Sequence, residues 1–111
     1  MPLTKELMAG AAKVAAADMA EKLDMRQVRL EDCWADRPIL IATHKGINLG
    51  TLKVDRGEMR THWYANFTLN GELIFTDKFA ITETGWERKP TTEVFLDADA
   101  TIYAGYGTVE P

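Results

Sequence analysis

The residues that could do chemistry or recognition fall into a few groups, and their spacing decides how each is read. The stretch Thr61 to Ile81, THWYANFTLNGELIFTDKFAI, alternates apolar residues with a row holding His62, Tyr64, Asn66 and Thr68. Preceded by Arg60 and faced by Thr76 and Lys78, that row could line a cup for a small polar ligand, with His62 carrying a proton near neutral pH. The same alternation is the ordinary signature of an antiparallel sheet with one wet side, so a solvated face is the simpler reading. Asp77 is the odd residue of the apolar row. Buried, it would have a raised pKa and could act as acid or base; exposure at a bulge or at the sheet rim is the expectation, because unpaired buried carboxylates are rare.

A second group is Trp34 and Trp86 with Arg37, Arg56, Arg88 and Lys89, all expected in loops and turns. Tryptophan and arginine dominate binding hot spots because they bury large area and still offer hydrogen-bond donors. Against this stands a structural role in which each indole folds back as a lid on the core.

The remaining candidates point away from catalysis. Cys33 lies beside Asp32 and Asp36, whose charges raise a thiol pKa and so oppose nucleophile activation. Asp97-Ala98-Asp99 could hold a divalent cation, but two carboxylates alone do not make a calcium loop, and a tight turn explains them as well. His44 and His62 have no partner at metal-ligand spacing, so zinc is not indicated. HKGINLGT, residues 44 to 51, has glycines without the Lys-Ser/Thr ending or following helix of a phosphate loop. The sequence assigns no catalytic residue, no metal and no cofactor.

Composition narrows the partners. The chain has 111 residues, 46% hydrophobic and 27% charged, with a net charge of −4, values suited to one globular domain spanning 1–111. Acids and bases are interspersed, so no broad basic surface exists to neutralise phosphates and nucleic acid is excluded as a first reading. Single strands stacking on Trp34 and Trp86 are disfavoured by the same acidic balance. Cys33 is the only cysteine and gives no sign of an oxidising compartment. Lys13 and Asp18 interrupt the apolar part of the N-terminal run, and Glu6 and Glu21 are unlike a transit peptide. No apolar run reaches membrane-spanning length. A cytoplasmic location, with no membrane partner, is expected.

The elements that must position these residues follow from periodicity. Residues 4–23 form a helix: Thr4 is a fitting N-cap, Glu6 suits the positive dipole end, and Leu3, Leu7, Met8, Ala11, Val14, Ala15, Met19 and Leu23 make a thin stripe. The helix should lie on a sheet, with pairing to a second copy as the alternative. Strands are expected at 25–31, at 38–44 (apolar through Ile39 to Ala42, hence covered on both faces), at 47–55, and from 58 onward after a turn at Asp55-Arg56-Gly57. For the hairpin at 61–81, a two-residue Asn-Gly turn would mix the two faces. A three-residue loop Leu69-Asn70-Gly71 is therefore expected, with Phe67 facing Leu73, Lys78 facing His62 and Asp77 facing Trp63. A loop follows at 83–91. The segment 91–109 could be a helix ended by Gly105, but its Thr, Val, Phe, Ile and Tyr favour two strands joined around Asp97 to Asp99.

The expected fold is α+β: an N-terminal helix on a curved antiparallel meander of six to seven strands over 25–109, a half-open barrel or cup. Strand parity gathers the loops at 32–37, 55–57 and 83–91 at one end. The functional expectation is a small non-catalytic binding protein, of adaptor or inhibitor type, that engages another protein through Trp34, Arg37, Arg56, Trp86, Arg88 and Lys89, with a homodimer as a further expectation. The alternative is a ligand-binding or enzymatic cup using Arg60, His62, Tyr64 and Asp77.

Overall fold

Thr4 opens the first element: its hydroxyl accepts from the Leu7 backbone N–H at 3.1 Å and caps helix α1 (Lys5–Lys22), which carries Glu6 in its first turn and Lys22 in its last. The computed structural model describes residues 4–58, 62–83, 85–88 and 93–105. Among the described residues eight strands follow: β1 (Met25–Gln27), β2 (Arg37–Thr43), β3 (Gly46–Glu58), β4 (His62–Leu69), β5 (Glu72–Thr82), β6 (Gly85–Arg88), β7 (Glu93–Val94) and β8 (Thr101–Gly105). Seven of them run in the order β1-β8-β2-β3-β4-β5-β6, all paired antiparallel, and the two-residue β7 pairs with β5 off this path. The sheet does not close into a barrel. Among the described residues, no helix is long and apolar enough to cross a membrane.

The helix packs on this sheet with a different face from the one the large residues mark. Ala12, Ala16, Met19 and Ala20 lie against Met25, Leu40, Ala42 and Tyr103, while Leu7 and Val14 remain 60% and 74% exposed. Small side chains let the helix approach closely, and the strands supply the bulk. Asp24, at φ 54°, then turns the chain straight into β1.

β2 is the centre of the fold. Leu40 and Ala42 point to α1, whereas Ile39 and Ile41 point to the opposite, inner face with Leu52, Phe67, Leu69 and Phe75. Its apolar run predicts this double coverage, and Ile39 and Leu40 are fully enclosed; each such side chain contributes roughly 1.5–3 kcal/mol.

Four expectations change at the sheet level. The strand foreseen at 25–31 stops at Gln27 because β8 inserts between β1 and β2. β1 and β2 then run parallel, and residues 28–36 must cross back over the inner face. Val28 N–H still bonds Ile102 C=O at 3.0 Å; a 3-10 turn at Leu30–Asp32 then buries Leu30 and Cys33 in the inner core. Asp55-Arg56-Gly57 is no turn but part of β3, where Val54 to Glu58 pair with Phe67 to Trp63; residues 59–61 lie outside the described residues. The loop foreseen at 83–91 contains β6, and the last two strands do not form a hairpin with each other, since β7 joins β5 and β8 joins β1 and β2.

The hairpin at 61–81 has the two-residue turn. Asn70 and Gly71 take φ 52° and 81°, the left-handed pair that such a turn requires, and Leu69 faces Glu72. The faces are not mixed because the register shifts one step later. Thr68 faces Leu73 but Phe67 faces Phe75, leaving Ile74 as a bulge residue. Beyond it Ala65 faces Asp77, Trp63 faces Phe79 and His62 faces Ala80. The Asn70 side chain fills the space a β-carbon on Gly50 would need and donates to Asn48 Oδ1 at 2.7 Å, so Gly50 serves close approach of the turn.

Candidate functional site

The long strand β3 carries Arg56 past the end of β2, where the segment 34–36 runs beside it. Asp36 Oδ1 accepts from the Val54 N–H at 3.0 Å, and the Arg56 guanidinium donates from Nη2 to the Trp34 carbonyl. Its Cζ also stands 5.6 Å from the centroid of the Trp34 ring, close enough for cation–π attraction. The indole Nε1 donates to Glu31 C=O at 2.8 Å. Trp34 is therefore held from three sides by a backbone carbonyl, a guanidinium and its ring neighbours.

Those neighbours form one aromatic cluster on the inner face. Trp34 meets Trp63 at 5.2 Å and 71°, Phe67 at 5.6 Å and 80°, and Phe79 at 5.4 Å and 57°, while Trp63 and Phe79 stack at 4.9 Å and 21°. Edge-on and offset-stacked pairs of this kind add about 0.5–1.5 kcal/mol each beyond burial. Trp34 and Trp63 stay half-buried, so Trp34 is both lid and surface. A groove of about 360 Å³ opens beside the cluster, lined by Arg56, Gly57, Glu58 and Trp63. Trp63 was not singled out in the sequence, although its place on the apolar row was visible there; only its row partner Phe79 reveals that it reaches the edge.

The other residues named for this end are placed less closely. Arg37 begins β2 opposite Leu52; it is half-buried, and among the described residues its Nε has no hydrogen-bond partner. Trp86 and Arg88 belong to β6, whose backbone pairs Trp86 with Ile81 and Arg88 with Phe79. Lys89 lies outside the described residues. Cys33 is buried and its thiol lies 3.6 Å from the Arg29 carbonyl. Burial pushes its pKa up, Asp32 and Glu31 push the same way, and Arg37 opposes them. The direction expected from sequence holds, but burial rather than the acidic neighbours is the main cause.

Several members of the polar row make contacts within their own sheet. The ring of Tyr64 covers Gly57, Thr76 donates to Asn66 Oδ1 at 3.0 Å, and Lys78 pairs with Glu93 at 3.5 Å. Lys78 faces Tyr64, not His62. Arg60 lies outside the described residues. Asp77 is fully buried, against the expected exposure, and faces Ala65 rather than Trp63. β5 has neighbours on both sides, with β4 along one edge and β6 and β7 along the other. The two edge ladders stop on either side of position 77, at Thr76 and Phe79, and its pairing with Ala65 of the inner core sets Asp77 on the covered face.

At the far end of β3 the structure joins residues that no spacing rule connects. The His44 backbone N–H donates to Asp99 Oδ2 at 2.8 Å, and its ring Nδ1 lies 3.1 Å from the same oxygen. Lys45 Nζ stands 3.3 Å from Asp97 Oδ2. Partial burial would raise the Asp99 pKa, but the hydrogen bonds and charge of His44 outweigh it and hold the carboxyl below its ordinary value. His44, expected to lack ligand-spaced partners, has two carboxylates beside it. The cause is the insertion of β8 next to β2, which sets Ala42 opposite Thr101. Comparison of this chain with protein-family models, curated proteins and solved structures finds no match.

Proposed function

We propose that this chain is a small non-catalytic binding protein that engages another protein through the Trp34, Arg56 and Trp63 end of its sheet. The observation that carries the reading is the fixed, half-exposed Trp34 with Arg56 laid over it beside a groove walled by Trp63 and Glu58. A pre-organised aromatic with a guanidinium at its rim is the arrangement that gives up least entropy when a partner covers it. Arg37 belongs to the same proposal, and Trp86, Arg88 and Lys89 remain partner-binding candidates on the sequence argument. The chemistry that fits the groove is an apolar anchor side chain flanked by an acidic group for Arg56. A homodimer through the outward row Leu7, Gly10 and Val14 of α1, and a cytoplasmic setting, belong to the same proposal.

Alanine at Trp34 would damage the core as well as the surface, so the test uses the exposed rim. A photo-crosslinking residue at Glu58 should capture a discrete protein partner in the source cells, and Arg56→Glu should remove that adduct while circular dichroism shows the chain still folded. Equal capture of that partner from a crosslinker at the exposed Glu72 beside the Asn70-Gly71 turn, or capture indifferent to Arg56→Glu, would sink the proposal.

A further inference from the structure

The His44, Asp97 and Asp99 cluster lies at the opposite end of β3 from the aromatic surface, and the partner-binding reading does not use it. One ring nitrogen and one oxygen from each carboxylate lie within 4.8 Å of one another. The separation of His44 Nδ1 from Asp99 Oδ2, 3.1 Å, falls between the spacings of adjacent ligands about one ion. For bonds of about 2.1 Å those spacings are roughly 3.0 Å at right angles and 3.4 Å at the tetrahedral angle.

The donors are also held before any ion arrives. His44 directly follows β2, whose Ala42 pairs with Thr101 of β8, and the Ala100 N–H closes the Asp97 turn on the Asp97 carbonyl at 3.1 Å. The side chains of His44, Asp99 and Asp97 are 19%, 25% and 32% exposed. They are shielded enough to be ordered and open enough to admit an ion. Lys45 already places a cation on Asp97.

From this geometry we infer that His44, Asp97 and Asp99 form a binding site for a divalent first-row transition metal of the zinc class. One imidazole and two carboxylates are a borderline donor set, which suits zinc or cobalt and is unsuited to calcium or magnesium, since those take oxygen ligands. Three protein ligands leave the remaining coordination position to water. Binding requires the Nδ1 proton to leave His44, with Nε2 carrying the remaining proton, and requires Lys45 to release Asp97.

The test is calorimetric titration of the tag-free protein with zinc chloride, with cobalt absorption as a second readout. The expected result is one zinc per chain, visible cobalt bands of a nitrogen- and oxygen-ligated ion, and no heat from calcium or magnesium at the same concentration. His44→Ala and Asp99→Asn should each abolish saturable binding, His62→Ala should leave it unchanged, and Lys45→Met should tighten it several-fold by removing the competing ammonium. Asp97→Asn, at a half-exposed turn, supplies a variant that keeps its fold should the His44 or Asp99 changes disturb it, and it should weaken binding at least about tenfold. Zinc binding that survives both His44→Ala and Asp97→Asn, a preference for calcium, or no saturable binding would overturn the inference.

Discussion

The ring of Tyr64 stands directly over Gly57 across the β3–β4 ladder, so close that a β-carbon there would lie 2.5 Å from its Cζ and hydroxyl. A residue that looks in the sequence like a ligand-facing tyrosine is thereby occupied in covering a glycine. Gly57→Ala should cost about 1–3 kcal/mol through overpacking. Adding Tyr64→Ala should return part of that loss, with a coupling of about 0.5–3 kcal/mol in a double-mutant cycle read from urea midpoints. Strict additivity would mean the ring is not committed to Gly57.

The alanine face of α1 makes a second prediction. Ala16 is fully enclosed against the sheet whereas Val14 is 74% exposed. Ala16→Leu should therefore destabilise by about 1–3 kcal/mol, and Val14→Ala should stay within about 0.5 kcal/mol. Thermal melts of the two variants decide it, and the large-residue stripe of the sequence predicts the opposite order.

These two cases show what was legible. The helix was readable because Thr4, Glu6 and the loss of period after Leu23 are local signals, but its buried face was not, since alanine carries little hydrophobic contrast. β2 was readable because a continuous apolar run has one meaning in a sheet covered on both sides. The bulge at Ile74 was not, because one extra residue swaps faces without changing composition. Trp34 and Arg56 were gathered in the sequence by strand parity, and the structure brings them into contact by a different route, the crossing segment 28–36 running back alongside β3. His44 and Asp99 are 55 residues apart and meet only because β8 chooses the slot between β1 and β2, a choice no local pattern encodes.

The bulge gives a prediction about deletions. Removing Ile74 leaves Thr68 facing Leu73 and Phe67 facing Phe75 as before, so the chain should fold with the loss of one buried side chain, about 2–5 kcal/mol, and of the carbonyl that accepts from the Phe95 N–H at 3.0 Å. Removing Thr76 instead shifts every later residue by one and sends the row of Asp77 and Phe79 to the wrong face. Dispersed amide spectra for the first deletion and collapsed spectra for the second are expected. The reverse result would refute the register.

Cys33 supplies the pH prediction. Its side chain is 1% exposed in the inner core, and burial, aided by Asp32 and Glu31 and opposed by Arg37, raises the thiol pKa. A raised folded-state pKa means the fold prefers the protonated thiol. This contribution is complete below the unfolded thiol value of about 8.5 and is lost as pH rises from there through the folded value. The urea midpoint should accordingly be flat with respect to this group between about pH 7 and 8 and decline above about 8.5, less steeply in Cys33→Ala. Native protein should also react with iodoacetamide only as fast as it opens, so that alkylation speeds up in step with the unfolded fraction as urea is added. Rapid alkylation without urea would place the thiol at the surface and remove both expectations.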